Sequence, residues 1–141
     1  MKKLTRVQKL ICYAVCYTGT TGEPIPVVKG WLRVSLRVVN ESSPYHTDFM
    51  PHREYRSVDV QRVDINTAYT VDIELWPTNV ILAPGNTLEL QVSSSDTAGS
   101  GLFNHTHPED RDGTSLRGLN NVHLGGSFEN FLRLPIIPKR E

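Results

Sequence analysis

Four residues are of types that could gather a metal ion: His105, His107, Asp110 and His123. A His-x-His pair on a strand aims both imidazoles to one face, and jelly rolls of the cupin type build metal sites from such a pair. Here the pair lies beside Pro108 in a stretch dense with turn formers, and no carboxylate follows at a matching spacing. Histidines that anchor a loop or sit in solvent are the simpler reading, so neither a metal nor another cofactor is expected. Nucleophilic catalysis lacks its parts too. A serine presented on a strand-to-helix elbow needs G-x-S-x-G, whereas Gly99-Ser100-Gly101 has the wrong spacing and no βα context. Serine, histidine and aspartate do mix between Ser93 and Asp112, but a triad is defined by geometry and nothing here would present the nucleophile. No catalytic residue is assigned.

The aromatic residues offer a different chemistry, stacking on a ligand ring. Trp31, Trp76, Tyr45, Tyr55, Phe49 and Phe103 are the candidates for a sugar platform. Packing in a core or at an interface is the commoner fate of tryptophan in a domain this size. A carbohydrate- or protein-binding module is therefore kept as the alternative function.

The elements that must position these residues alternate with period two. Leu32, Val34, Leu36 and Val38 fall on one face of Gly30 to Val39, opposite Arg33, Ser35 and Arg37, as in a half-buried strand. Val71, Ile73 and Leu75 repeat the pattern from Tyr69 to Trp76; Leu88, Leu90 and Val92 repeat it from Thr87 to Ser93. A last strand is expected from about Asn130 to Ile136, and Val58 to Val63 could add a shorter one. Pro84-Gly85-Asn86 marks a turn. Two stretches, Asn40 to Tyr55 and Ser94 to Asn121, read as long irregular connections. Only the first fifteen residues are a helical candidate, without a clear cap or apolar stripe. The chain is expected to be all-β and antiparallel, with Leu32, Val34, Leu36, Val71, Ile73, Leu75, Leu88, Leu90 and Val92 as its core face.

Charge excludes further classes. Fifteen basic residues balance fifteen acidic ones, so there is no basic stripe to meet nucleic acid and no excess to hold an anionic membrane. The longest apolar run, Leu10 to Val15, is too short to span a bilayer. It follows Lys2, Lys3, Arg6 and Lys9 but lacks the cleavage pattern of a signal peptide. Cys12 and Cys16 read as two reduced thiols, which places the chain in a reducing compartment, the cytoplasm.

Several ordered segments then resemble one family. Gly30-Trp31-Leu32-Arg33-Val34-Ser35-Leu36-Arg37 resembles the G-W-L-R-x-S-x-R segment of the X-Pro dipeptidyl-peptidase C-terminal domain, found in the cocaine esterase/NonD (CocE/NonD) group of α/β-hydrolases. Pro51-His52 is similar to that domain's proline-histidine step in the crossover. Ile73-Glu74-Leu75-Trp76-Pro77-Thr78 is similar to its I-E-L-W-P-T strand. Pro84-Gly85-Asn86-Thr87-Leu88 to Ser93-Ser94-Ser95-Asp96 and Leu132-Arg133-Leu134-Pro135-Ile136-Ile137-Pro138 resemble its last motifs.

The resemblance spans residues 17–138, leaving 1–16 as a poorly matched N-terminal segment and 139–141 as a tail. It implies a jelly-roll-like antiparallel β-sandwich of galactose-binding-like type, incomplete at its N-terminus. It also implies an accessory role: the sandwich packs on an α/β-hydrolase catalytic domain, which carries the Ser-Asp-His triad and lies outside this chain, and frames its active site. Family activity is cleavage of acyl or peptide bonds, including release of dipeptides ending in proline. Trp31, His52, Arg53 and Trp76, large or charged residues beside strand ends, are the expected contacts with that domain.

Overall fold

A computed structural model describes residues 10–18, 22, 24–95 and 119–138. Three strands form: β1 (Leu10–Thr18), β2 (Pro24–Arg33) and β3 (Thr87–Ser93). β1 lies in the middle, antiparallel to both neighbours, in the order β2-β1-β3. Register carries straight across the sheet, so Gly30, Tyr13 and Val92 share one row, and Val28, Val15 and Leu90 another. Two 3-10 turns, Val34–Leu36 and Ser57–Asp59, are the other regular elements among the described residues. The all-β class holds.

β1 corrects the helical reading of the N-terminus from Leu10 onward; residues 1–9 lie outside the described residues. Its sequence, LICYAVCYT, is rich in β-branched and aromatic residues, which fit a pleated surface better than a helix. Strand geometry separates the Cα atoms of Cys12 and Cys16 by about 13 Å, too far for a disulfide between them.

β2 starts and ends earlier than the alternation suggests. After Arg33 the chain curls into the 3-10 turn, and the Val34 carbonyl accepts bonds from the Arg37 N–H at 3.2 Å and its guanidinium at 3.1 Å. Leu32 and Val34 are both buried, as expected of the core face, but the curl also turns Ser35 inward. β2 carries one irregularity. Val15 opposes Val28 while Cys16 opposes Pro26, which leaves Val27 as the extra residue of a bulge.

The segment from Tyr69 to Trp76 was expected as a strand and is instead extended chain without a ladder. It reaches the outer edge of β2 through one backbone bond, the Trp76 N–H donating to the Lys29 carbonyl at 3.0 Å. The Thr78 hydroxyl donates to the Val27 carbonyl at 3.1 Å and so satisfies the bulge. Together the two bonds run residues 76–78 antiparallel to 29–27.

Val58 to Val63 is not a strand either: its start coils into the second 3-10 turn, which leaves Val58 exposed and Val63 buried. Asn130 to Ile136 is irregular, with Phe131, Leu134 and Ile136 exposed. Asn40 to Tyr55 is irregular as expected, whereas most of Ser94 to Asn121 lies outside the described residues. Leu32 and Val34 at the C-terminal end of β2, and Val63 in the chain that follows it, are buried hydrophobic residues. Leu36, Val71, Ile73, Leu75 and Leu88 are half-buried, and Leu90 and Val92 are exposed.

Candidate functional site

Trp31 and Trp76 come together. Their ring centroids lie 5.4 Å apart at 77°, an edge-to-face contact suited to the opposite charges of ring edge and ring face. Trp31 leaves β2 half-buried, and Trp76 remains 53% exposed. Their meeting depends on how closely residues 74–76 approach β2. At Gly30 any Cβ would overlap the Glu74 carbonyl and press on the Leu75 side chain, so only glycine fits between the two chains.

Arg53 acts at the other end of the same segment. Its guanidinium donates to the Arg37 carbonyl through Nε (3.2 Å) and Nη2 (3.1 Å), and through Nη2 to the Asp72 carbonyl at 2.6 Å. The side chain is 6% exposed. Arg53, expected to reach another domain, is therefore turned into this chain, where it clasps the 3-10 turn after β2 to the segment that ends at Trp76. Its Nη1 is buried without a partner.

His52 sits one residue before this clasp. Its carbonyl accepts from the Asn40 N–H at 2.8 Å, and its own N–H donates to His46 Nδ1 at 3.4 Å. The ring leans on Tyr45 at 5.5 Å between centroids. Asn40 Nδ2 also donates to Glu54 Oε1 at 3.1 Å, which ties the start of the loop to its end. These bonds fix the backbone at His52 and leave the ring half-buried.

Charge near this loop is organised around Arg56, which meets Glu54 at 2.8 Å and Asp59 at 3.2 Å. The hydrogen bond to Asp59, helped by attraction to Asp59 and Glu54, raises the Arg56 pKa above its ordinary value. The hydrogen bond from the Arg56 side chain holds the Asp59 carboxyl below its ordinary value.

Three features escaped the reading of the sequence. The Thr78 hydroxyl serves the bulge of β2, and a bulge leaves no period in the sequence. Arg37 stacks its guanidinium 4.1 Å over the Tyr69 ring and also donates to the Arg62 carbonyl at 3.3 Å, both non-local partners. Ser35 is buried with its hydroxyl unpartnered.

Of the possible metal ligands, His105, His107 and Asp110 lie outside the described residues, and the His123 ring stacks on Phe128 at 4.8 Å. Among the described residues no three histidine, cysteine or acidic side chains converge, and no helix is long and apolar enough to cross a membrane.

The arrangement holds two tryptophans at one edge of a sheet and braces the chain that carries one of them. The half-buried Trp31 and the exposed Trp76 form an aromatic surface at that edge. Residues 3–133 match a family described as the X-Pro dipeptidyl-peptidase C-terminal non-catalytic domain, a match that takes in all of β1. No curated protein and no solved structure matches the chain.

Proposed function

The chain belongs to the X-Pro dipeptidyl-peptidase C-terminal non-catalytic domain family, and from that premise we propose that it docks on an α/β-hydrolase catalytic domain and helps frame that domain's active site. It completes a jelly-roll-like sandwich there and makes or breaks no bond itself. The reaction it serves is cleavage of acyl or peptide bonds, including release of dipeptides ending in proline.

One observation carries this reading: the exposed Trp76 packed against Trp31 on an edge braced from within by Gly30 and Arg53. Aromatic residues anchored in rigid surroundings are the side chains that dominate binding energy at protein interfaces. His52 adds a polar contact beside them. Arg53 contributes by position, since it holds the segment that presents Trp76. Cys12 and Cys16, too far apart on β1 to join each other, support a reducing, cytoplasmic setting.

The test is calorimetric titration of the chain into the catalytic domain of an X-Pro dipeptidyl-peptidase. Binding is expected, with Trp76→Ala weakening it by about tenfold or more, the effect of an interface anchor. Unchanged affinity in both Trp31→Ala and Trp76→Ala, in variants that keep their fold, would remove this pair from the interface. The alternative, a glycan-binding module, draws on the exposed Tyr45, Phe49 and Tyr55 on either side of His52 in the same irregular stretch. Saturable binding of an oligosaccharide, abolished by Tyr45→Ala, would favour it.

A further inference from the structure

Positive charge collects at one turn without an answering carboxylate. Of the arginines between Val34 and Asp72, Arg56 meets Glu54 and Asp59, and Arg62 meets Asp64. Arg37 and Arg53 meet no carboxylate among the described residues. Their acceptors are main-chain carbonyls: Val34 and Arg62 for Arg37, Arg37 and Asp72 for Arg53. Both guanidiniums therefore attach to the 3-10 turn Val34–Leu36 and to the residue that closes it. The acids close by in the chain are engaged otherwise. Glu54 is turned to Asn40 and Arg56, and Asp72 lends Arg53 its carbonyl rather than its carboxylate.

Carbonyl dipoles satisfy donors but leave a net charge standing, and a buried charge is costly unless it is paired. Arg53 is 6% exposed, and a guanidinium does not shed its proton. Two groups at the turn also have hydrogen-bonding capacity to spare. Arg53 Nη1 and the Ser35 hydroxyl are buried without partners, and Ser35 is 2% exposed. The Ser35 carbonyl is committed to the Gln61 N–H at 2.6 Å, so the hydroxyl is what the residue still has to offer.

Two donors, two unneutralised cations and no spare acid describe a site for a small anion. Water would accept from Nη1 but bring no charge. A doubly charged oxyanion carries more acceptor sites than two donors can meet, whereas a halide is one sphere of charge that both can approach. We propose that the turn at Val34–Arg37 binds a monovalent halide, chloride in the first place, held by Arg53 Nη1 and the Ser35 hydroxyl and attracted by the charge of Arg37. The ion would steady the clasp between the turn and residue 72. The inference stands on these three residues and does not rest on the docking reading.

The test is urea denaturation of the full 141-residue chain in a series that exchanges sodium gluconate for sodium chloride at constant ionic strength. The midpoint is expected to rise with chloride, as binding to the folded chain alone requires, and bromide should act alike. Ser35→Ala removes one donor and is expected to weaken the apparent chloride affinity by about two- to tenfold. Arg37→Gln removes a charge and should weaken it as well. Should Arg37→Gln fail to fold, Ser35→Ala remains as the readout, because a hydroxyl without a partner contributes no bond to the free fold. A midpoint that is the same in gluconate and chloride overturns the proposal. So does a chloride effect that Ser35→Ala leaves unchanged, which would put the ion elsewhere on the chain.

Discussion

At the scale of single residues, Arg53 is the side chain whose removal should be felt most. It is buried and binds two main-chain carbonyls from separate segments. Arg53→Ala leaves both acceptors unpaired and is expected to cost about 2–3 kcal/mol, the range for hydrogen bonds to a charged group, measured by urea denaturation. Arg53→Lys should restore only part of this, because one ammonium cannot reproduce the planar fork of a guanidinium.

Asp59 is expected to report on acid in the opposite part of the loop. Its carboxyl is held below the ordinary value of 3.8, first by the hydrogen bond from Arg56. A carboxyl depressed in the folded state stabilises fully above its unfolded pKa and loses that contribution as the pH falls through the folded value. The 3-10 turn at Ser57–Asp59 should therefore stay ordered at neutral pH and loosen only as the pH drops below about 4. A carboxyl NMR titration of Asp59 with its midpoint at or above the ordinary value would contradict the pairing.

At the scale of elements, the approach of residues 74–78 to β2 depends on Gly30. Gly30→Ala is expected to destabilise by about 1–3 kcal/mol through overpacking against the Glu74 carbonyl. It should also change the near-ultraviolet signal of the Trp31–Trp76 pair as residues 74–76 are pushed away. A spectrum identical to the unsubstituted chain would count against this account.

The same elements mark how far the sequence could be read. β3 follows its alternation, residues Thr87 to Ser93, because turn signals bound it and nothing interrupts its period. β2 does not, because Leu32 and Val34 keep their alternate burial while the backbone has already left the strand for a 3-10 turn. Burial alternates only up to Val34, whereas the hydrophobic alternation of the sequence runs on to Val38, which is exposed, so the sequence pattern cannot reveal the curl. β1 hid behind basic residues and two cysteines, and although β2 follows it closely, its other partner, β3, is distant in the chain. The site divides similarly. Trp31 and Trp76 were found by residue type and they meet, but Arg53 was given an outward role because charge suggests exposure, and only tertiary structure shows the carbonyls that draw it inward.

At the scale of the molecule, Trp76, Ile81, Phe131 and Ile136 are among many large hydrophobic side chains that the fold leaves exposed. Apolar surface left in water adds nothing to stability until a partner covers it. Docking on a catalytic domain should therefore register as stability. With the partner present at a hundred times its dissociation constant, the chain is expected to gain about 2.7 kcal/mol against unfolding, seen as a shift of its urea midpoint. A midpoint that ignores the partner would mean that the exposed surface serves something else.

Arg53 has a consequence on the timescale of sequence drift. Both of its acceptors are main-chain carbonyls, and every amino acid supplies one. The clasp consequently makes no demand on the identity of residue 72, an exposed aspartate. Position 72 can wander through many residue types while the brace endures, whereas any change at position 53 weakens it. A lineage that loses the arginine would have to find another way to hold the chain that delivers Trp76.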